Sequence, residues 1–351
     1  MTRSKIMTRR GFFAFLIVAL LAVSAPVWAE TTIVLAHSNK NDPHDNPTAA
    51  MAMTFKEQVE RKSNGAIKVQ IFPENQLGGD AQAVALVKKG VIQMAISAIG
   101  GIIHDYQLIS AMDFPFAYHR VEEAYTVFDG PFGQWVRADI EAKTGVAILG
   151  FGDTGGLFVL TNSKRPIHHP SDLNGLRIRT MAADSHRNLV SSLGAEAVTV
   201  RWEHVFDALQ TGLADGQMNS IATTRYGRLF VVQKYMTLTN HAYVPFLWTA
   251  NPAFMAALSE TDRATVMAAV QAGVQASRDM AIKATGAELQ ALLPSVQIVY
   301  PTEAELKEFS LATQPPMRAF IETQFGANGT RFLDDFLAAV DQAHRPQAPK
   351  K

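Results

Sequence analysis

The chain has 351 residues, 48% of them hydrophobic and 18% charged, with 32 Lys and Arg against 32 Asp and Glu and no cysteine. Without cysteine there can be no disulfide, cysteine-ligated zinc, thiol nucleophile or lipidated export cysteine, and the balanced charge leaves no nucleic-acid footprint. Length and apolar content suffice for two domains of ordinary size.

Arg3, Lys5, Arg9 and Arg10 precede an apolar run from Phe12 to Val23 and a small-residue processing site at Val27-Trp28-Ala29. That order is an export signal, and the run is too short for a comfortable membrane span, so residues 1–29 are expected to be removed. Thr8-Arg9-Arg10-Gly11-Phe12-Phe13 also resembles a twin-arginine motif, although paired arginines occur in ordinary signals too. The remaining 322 residues carry 28 Lys and Arg against 32 Asp and Glu. The expected product is a freely diffusing periplasmic protein, with no contact to nucleic acid.

From Thr32 the pattern alternates strand and helix. Ile33 to Ala36 is a strand, and Asn46-Pro47 is a helix start with a cap and a proline at the first position. Met51, Phe55 and Val59 repeat every fourth residue until Asn64-Gly65 stops the helix. Ile67, Val69 and Ile71 alternate with polar residues as a strand, Gly78-Gly79-Asp80 opens a second helix, and Ile92 to Ser97 is a third strand. The β-α-β-α-β unit recurs, with strands at 176–179, 197–200 and 216–219 and helices at about 182–193 and 203–212. Ser259-Glu260-Thr261-Asp262 then starts a helical pattern interrupted by nothing stronger than Gly273 and Gly286 before Pro294. Such a helix is about 50 Å long, enough to lie across two domains.

The expected fold is therefore α/β: two doubly wound domains flanking a cleft, with a long helix lying across both. The Pro- and Lys-rich stretch 344–351 is expected to be a disordered tail.

In open parallel sheets ligands bind outside the carboxyl ends of the strands. Arg179 ends one strand of the second unit, Trp202 follows the next, and Asn219 ends the third. A planar cation, an aromatic face and an amide could thus converge, which is binding chemistry for a carboxylate without a nucleophile or base. The same residues read equally as a salt bridge, core packing and a turn, so spacing alone leaves the matter open.

Seven stretches bring a family into view. They are Phe72 to Gly79 (FPENQLGG), Gly90 to Met94 (GVIQM), Asp113 to Phe116 (DFPF), Thr161 to Ile167 (TNSKRPI), Asp172 to Arg179 (DLNGLRIR), Ala208 to Asn219 (ALQTGLADGQMN) and Gln233 to His241 (QKYMTLTNH). In this order they resemble the solute receptors of tripartite ATP-independent periplasmic (TRAP) transporters, the DctP family, over essentially the whole mature length. The resemblance implies a periplasmic-binding-protein-like fold whose two-domain cleft closes on its ligand, a long helix shared between domains, a chain that crosses over more than once, so that domain I takes residues 30–156 plus about 245–284 and domain II takes 157–244 plus about 285–343, and delivery to an integral-membrane permease. It also implies that Arg179 is the carboxylate clamp, Asn219 its companion and Trp202 an aromatic cover. Asn39, Asp80 and Ser97 are looser matches facing them from the first domain, each as readily a cap or turn residue.

One position departs from the family's pattern. Many relatives for dicarboxylates or sugar acids carry a second arginine four residues before Asn162, where this chain has Phe158. An aromatic residue cannot pair a second carboxylate, and leaving one unpaired in a closed cleft costs several kcal/mol. The expected ligand has one carboxylate and an apolar or aromatic body against Phe158, Trp202 and Trp248, unless these aromatics are core. Tyr243 and His241 could touch ligand or belong to strands crossing between domains.

Other signals carry less. Gly150 to Gly155 (GFGDTG) matches a dinucleotide fingerprint, but a strand-like stretch follows it where a helix is needed. No metalloprotease, P-loop or serine-esterase motif occurs, His168-His169 reads as a solvated pair, and Asn328-Gly329-Thr330 is a formal sequon. A monomeric binding protein with no cofactor is expected, not an enzyme; an enzyme acting on an organic acid, or a subunit feeding a sensor kinase, are the rival readings. Whether a metal bridges ligand and protein stays open.

Overall fold

The computed structural model describes residues 31–345, with the side chains of 284, 285, 287 and 288 left aside, so the expected export signal and residues 346–351 of the expected tail lie outside the described residues. In chain order the first half holds β1 (Thr31–His37), α1 (Pro47–Lys62), β2 (Ile67–Phe72), α2 (Asp80–Lys88), β3 (Met94–Ser97), α3 (Val121–Asp129), α4 (Pro131–Thr144) and β4 (Ala147–Asp153). Next come β5 (Phe158–Asn162), β6 (Arg177–Thr180), α5 (Asp184–Ser192), β7 (Glu196–Thr199), α6 (Val205–Gln210), β8 (Gly216–Ser220) and α7 (Ile221–Tyr226). The chain ends with β9 (Tyr235–Ala242), β10 (Pro245–Ala250), α8 (Pro252–Ala257), α9 (Glu260–Leu292), β11 (Gln297–Val299) and α10 (Glu303–His344).

The local signals act as their chemistry dictates. Asn46 caps α1 by accepting from Thr48 N at 2.9 Å and Ala49 N at 3.3 Å, with Pro47 at the first helical position. Asn64 and Gly65, at φ +50 and +80, end it. In the second unit each expected strand lies within a residue of its place, whereas the helix expected at 203–212 is a 3-10 turn, Trp202–His204, followed by the shorter α6.

Two sheets result, β2-β1-β3-β10-β4 and β11-β9-β5-β8-β6-β7. Each is parallel except at one strand: β10 runs against β3 and β4, and β5 against β8 and β9. Those two strands lie where the chain changes lobes, from β4 to β5 through 154–157 and back from β9 to β10 through 243–244. Thr154 Oγ1 donates to the Val244 carbonyl at 2.9 Å, tying the crossings together. Gly155 stands there at φ +113, and a Cβ on it would fall 2.4 Å from the Ala222 Cβ, so the turn requires glycine. Since β5 follows, the GFGDTG stretch has no helix N-terminus: it forms the end of β4 and the start of the crossing.

The 33 residues of α9 make it about 50 Å long. It packs along α1 and β4 in the first lobe, and its Leu289 and Leu292 reach Val159, Ile221 and Met236 in the second. On α9, Arg278 forms a double ion pair with Asp129 at 2.6 and 2.9 Å, donates to the Phe151 carbonyl at 3.0 Å, and lies 4.5 Å from the Tyr125 ring centre. A second long element, α10, was not expected. It contains Pro315-Pro316, bends at Gly326 and touches α5 as well as α3 and α4, so it too joins the lobes. His344, expected to begin a disordered tail, is instead the last residue of α10 and stacks on His119. Among the described residues no helix is long and apolar enough to cross a membrane.

Candidate functional site

Parallel strands β1, β3, β6 and β8 point their carboxyl ends at the space between the sheets, and the reversed strands β5 and β10 begin there. A cavity of about 320 Å³ lies at this convergence, lined from both lobes. Asn39, Asp80, Phe158, Arg179, Trp202 and Asn219 all line it.

Arg179, on β6, is only 3% exposed. Its Nε donates to the Val200 carbonyl at 2.9 Å, and among the described residues it forms no ion pair. Burial pushes its guanidinium down to about 10, against the opposing pull of Glu203 and Asp80, so it stays charged at neutral pH. A buried, internally unpaired cation is costly unless an anion completes it.

Asn219, two residues along β8 from Gln217, is held through its amide. Its Nδ2 donates to Gln217 Oε1 at 2.6 Å, Gln217 Nε2 donates to Thr161 Oγ1 at 2.9 Å, and Thr161 donates to Gln233 Oε1 at 3.0 Å. This buried chain fixes the amide at the cavity wall. Trp202 stands edge-on to Tyr226, ring centres 5.9 Å apart. Phe158, the first residue of β5, is 3% exposed.

From the first lobe, Asp80 opens α2. Its oxygens accept from Ser38 Oγ at 2.9 Å and Ala98 N at 3.2 Å. Burial pushes its carboxyl up to about 6, with Glu203 adding to the rise and Ser38, Ala98 N–H and Arg179 opposing it. Asn39 donates through Nδ2 to Thr48 Oγ1 at 2.7 Å.

Three expected residues do not reach the cavity. Trp248 is 0% exposed and packs edge-on against Phe55 of α1, ring centres 5.0 Å apart. Because β10 is antiparallel, its start faces the cleft, and Trp248 lies farther along, inside the first lobe's core. Tyr243 is buried among Tyr118, Tyr125 and Phe128 beside the crossing. Ser97 ends β3 but is wholly buried under the turn at Gly101, where a Cβ would meet its Oγ at 2.4 Å.

Sequence reasoning missed Phe246, Tyr226, His104 and Glu203, which also line the cavity. Phe246 precedes Trp248 by two residues, and the sense of β10 in the sheet was the signal that would have chosen it. His168 and His169 face Glu305 and Glu308 at 3.1 and 2.8 Å on the surface. Among the described residues one trio of potential metal ligands gathers, His119, Glu123 and His344, and none of the three lines the cavity.

Two α/β lobes joined by paired crossings, with a buried cation in the cavity between them, define a two-lobed solute-binding protein. The chain belongs to the DctP family: it matches the bacterial extracellular solute-binding protein, family 7, over residues 37–324. It is 31% identical over 250 residues to a solute-binding protein of Verminephrobacter eiseniae, covering 71% of this chain and 73% of the relative. The TRAP periplasmic solute binding protein of Shewanella oneidensis, with bound succinate, superposes with a TM-score of 0.81 at 26% identity, over 90% of this chain and all of that one. Its counterpart from Bordetella bronchispeptica, with density assigned to pantoate, gives a TM-score of 0.79 at 27% identity, over 87% of this chain and 99% of that one. The family binds solutes rather than transforming them, so the chain is a solute-binding protein and not an enzyme, and the extracellular character of the family implies the periplasm.

Proposed function

We propose that the chain is the receptor of a TRAP transporter for a monocarboxylate with an apolar or aromatic body, handed on to a membrane permease. The observation that carries this reading is the charge distribution around the cavity. Arg179 is the one buried cation in its lining among the described residues. The other arginine there, Arg201, is exposed and already paired with Glu203 at 3.0 Å. Asp80 and Glu203 face the same space and repel a second carboxylate, while Phe158 fills the place of the second arginine. With Nε committed to Val200, the terminal nitrogens of Arg179 are the donors for a ligand carboxylate, and Asn219 lines the same cavity.

The body of the ligand would lie against Phe158, Trp202, Tyr226 and Phe246. Pantoate, the acid assigned in the Bordetella protein, shares the single carboxylate of this class on a branched body that also carries two hydroxyls. Closure about the two crossings would bury the ion pair, and tighter binding to the closed form is what shifts the population toward it. Residues 1–29 would serve as the export signal, and the expected domain limits, 30–156 with about 245–284 and 157–244 with about 285–343, would be the moving bodies.

A thermal-shift panel on the ligand-stripped mature protein tests the reading. A ligand at about a thousand times its dissociation constant adds roughly 4 kcal/mol of stability, a shift of several degrees. Branched or aromatic monocarboxylates are expected to give that shift; a panel in which dicarboxylates give the largest shift overturns the monocarboxylate reading.

A further inference from the structure

His119 lies just before α3, Glu123 in its first turn, and His344 is the last residue of α10. We infer that these three side chains form a binding site for a zinc-type divalent transition-metal ion, outside the solute cavity and independent of it. One potential ligand atom from each lies within 4.8 Å of the others. The two imidazole rings stack with centres 4.4 Å apart and planes 20° from parallel; an ion lies in the plane of each ring that binds it, so the exposed His119 ring would turn about its side-chain bonds on binding.

The spacing leaves room for an ion between His344 and Glu123. His344 Nε2 stands 3.4 Å from Glu123 Oε2. A charge-assisted N–H···O bond is about 2.7–2.9 Å, so this contact is long for a direct bond. Two ligands of a tetrahedral zinc, with bonds of about 2.0–2.2 Å, lie about 3.3–3.5 Å apart, which is the separation found. Two imidazoles and one carboxylate are a nitrogen-rich set that suits zinc and its neighbours better than magnesium or calcium, with the fourth position left to water.

The carboxylate is positioned in advance. Glu123 Oε2 accepts from His119 N at 2.7 Å and Arg120 N at 3.1 Å, which orients a ligating carboxylate as outer-shell donors do elsewhere. Glu123 is buried, whereas His119 is exposed and His344 half-buried, so an ion can enter from solvent. His344 Nε2 also lies 3.1 Å from the Ala117 carbonyl, a contact the ion would replace. Arg120 Nε, 3.5 Å from Glu123 Oε1, belongs to a side chain that is 70% exposed and free to swing clear. A bound ion would pin the end of α10, which touches both lobes, to the start of α3.

The test is calorimetric titration of metal-stripped, tag-free mature protein with zinc chloride, followed by melting curves with and without zinc. The expected result is one equivalent bound, weakened by about tenfold or more in His119→Ala and in His344→Gln, and unchanged in the His168→Ala/His169→Ala double variant. Zinc should raise the melting temperature of the wild-type protein but not of the first two variants. Exposed His119 can be removed without unfolding the chain, so its variant stays informative even if His344→Gln is unstable. No zinc binding, or equal binding in His119→Ala, overturns the site.

Discussion

The Nε of Arg179 donates to the Val200 carbonyl at 2.9 Å, so one side of the guanidinium is fixed to the backbone just beyond β7 and its remaining donors are aimed by that bond. Neighbouring strands set this aim: β6 carries the arginine, and β7, paired parallel to it, ends immediately before the acceptor. An arginine held in this way loses little further freedom when an anion arrives.

Asp80 makes binding depend on pH. Its carboxyl is pushed up to about 6 by burial, with Glu203 adding to the effect, and a ligand carboxylate beside it would raise it further. Binding then takes up a proton, so affinity should rise as pH falls from 8 toward 6, by no more than about tenfold per unit for a single proton. In the unliganded protein the sign is the same. Asp80 costs stability in full above pH about 6, and the cost fades as pH falls toward the ordinary value of 3.8. In Asp80→Asn the affinity profile between pH 6 and 8 should be flat; an unchanged slope would assign it to another group.

Two glycines of α9 should respond in opposite ways. A Cβ on Gly273 would lie 2.6 Å from the Met51 carbonyl oxygen of α1 and 2.9 Å from the Trp248 ring, whereas among the described residues nothing lies within 4 Å of one on Gly286. Ala is favoured over Gly in a helix interior by about 1 kcal/mol. Gly286→Ala should therefore raise the melting temperature by a few degrees, and Gly273→Ala should lower it, because backbone must move to admit the methyl group. Equal shifts in calorimetric melts of the two variants would contradict the close approach of α1 and α9.

Asp45, in the loop before α1, forms an ion pair with Arg225 on α7, joining the two lobes. Both side chains are about a third exposed, which limits the pair to a small contribution. Asp45→Asn should weaken ligand binding by less than about fivefold, with the difference shrinking at high salt. A loss that persists at high salt would argue against an electrostatic latch.

Strands and caps were legible because their signals are local: Asn46-Pro47 needs only its own turn to start α1, and β6 and β8 end where their alternation stops. Those signals alone placed Arg179, Asn219, Trp202 and Asp80 at strand or helix ends. Strand sense was not legible. Phe246 and Trp248 are both aromatic residues in one short strand, and only the antiparallel pairing of β10 with β3 and β4 decides which faces the cleft. Nor was α10, since Pro315-Pro316 and Gly326 oppose a helix locally and its burial against elements of both lobes supplies what propensity lacks. Ser97 shows a third limit, because the end of a strand fixes a residue's position but not whether the next turn covers it.

The most direct test of the account is isothermal titration calorimetry of the best ligand from the monocarboxylate panel against wild type and Arg179→Gln. Losing the charge-assisted pair should cost about 2 kcal/mol or more, roughly a thirtyfold or greater loss of affinity, while the unliganded variant still melts cooperatively. Affinity equal to wild type in a folded Arg179→Gln protein would contradict the clamp, and with it the cavity's assignment as a carboxylate site.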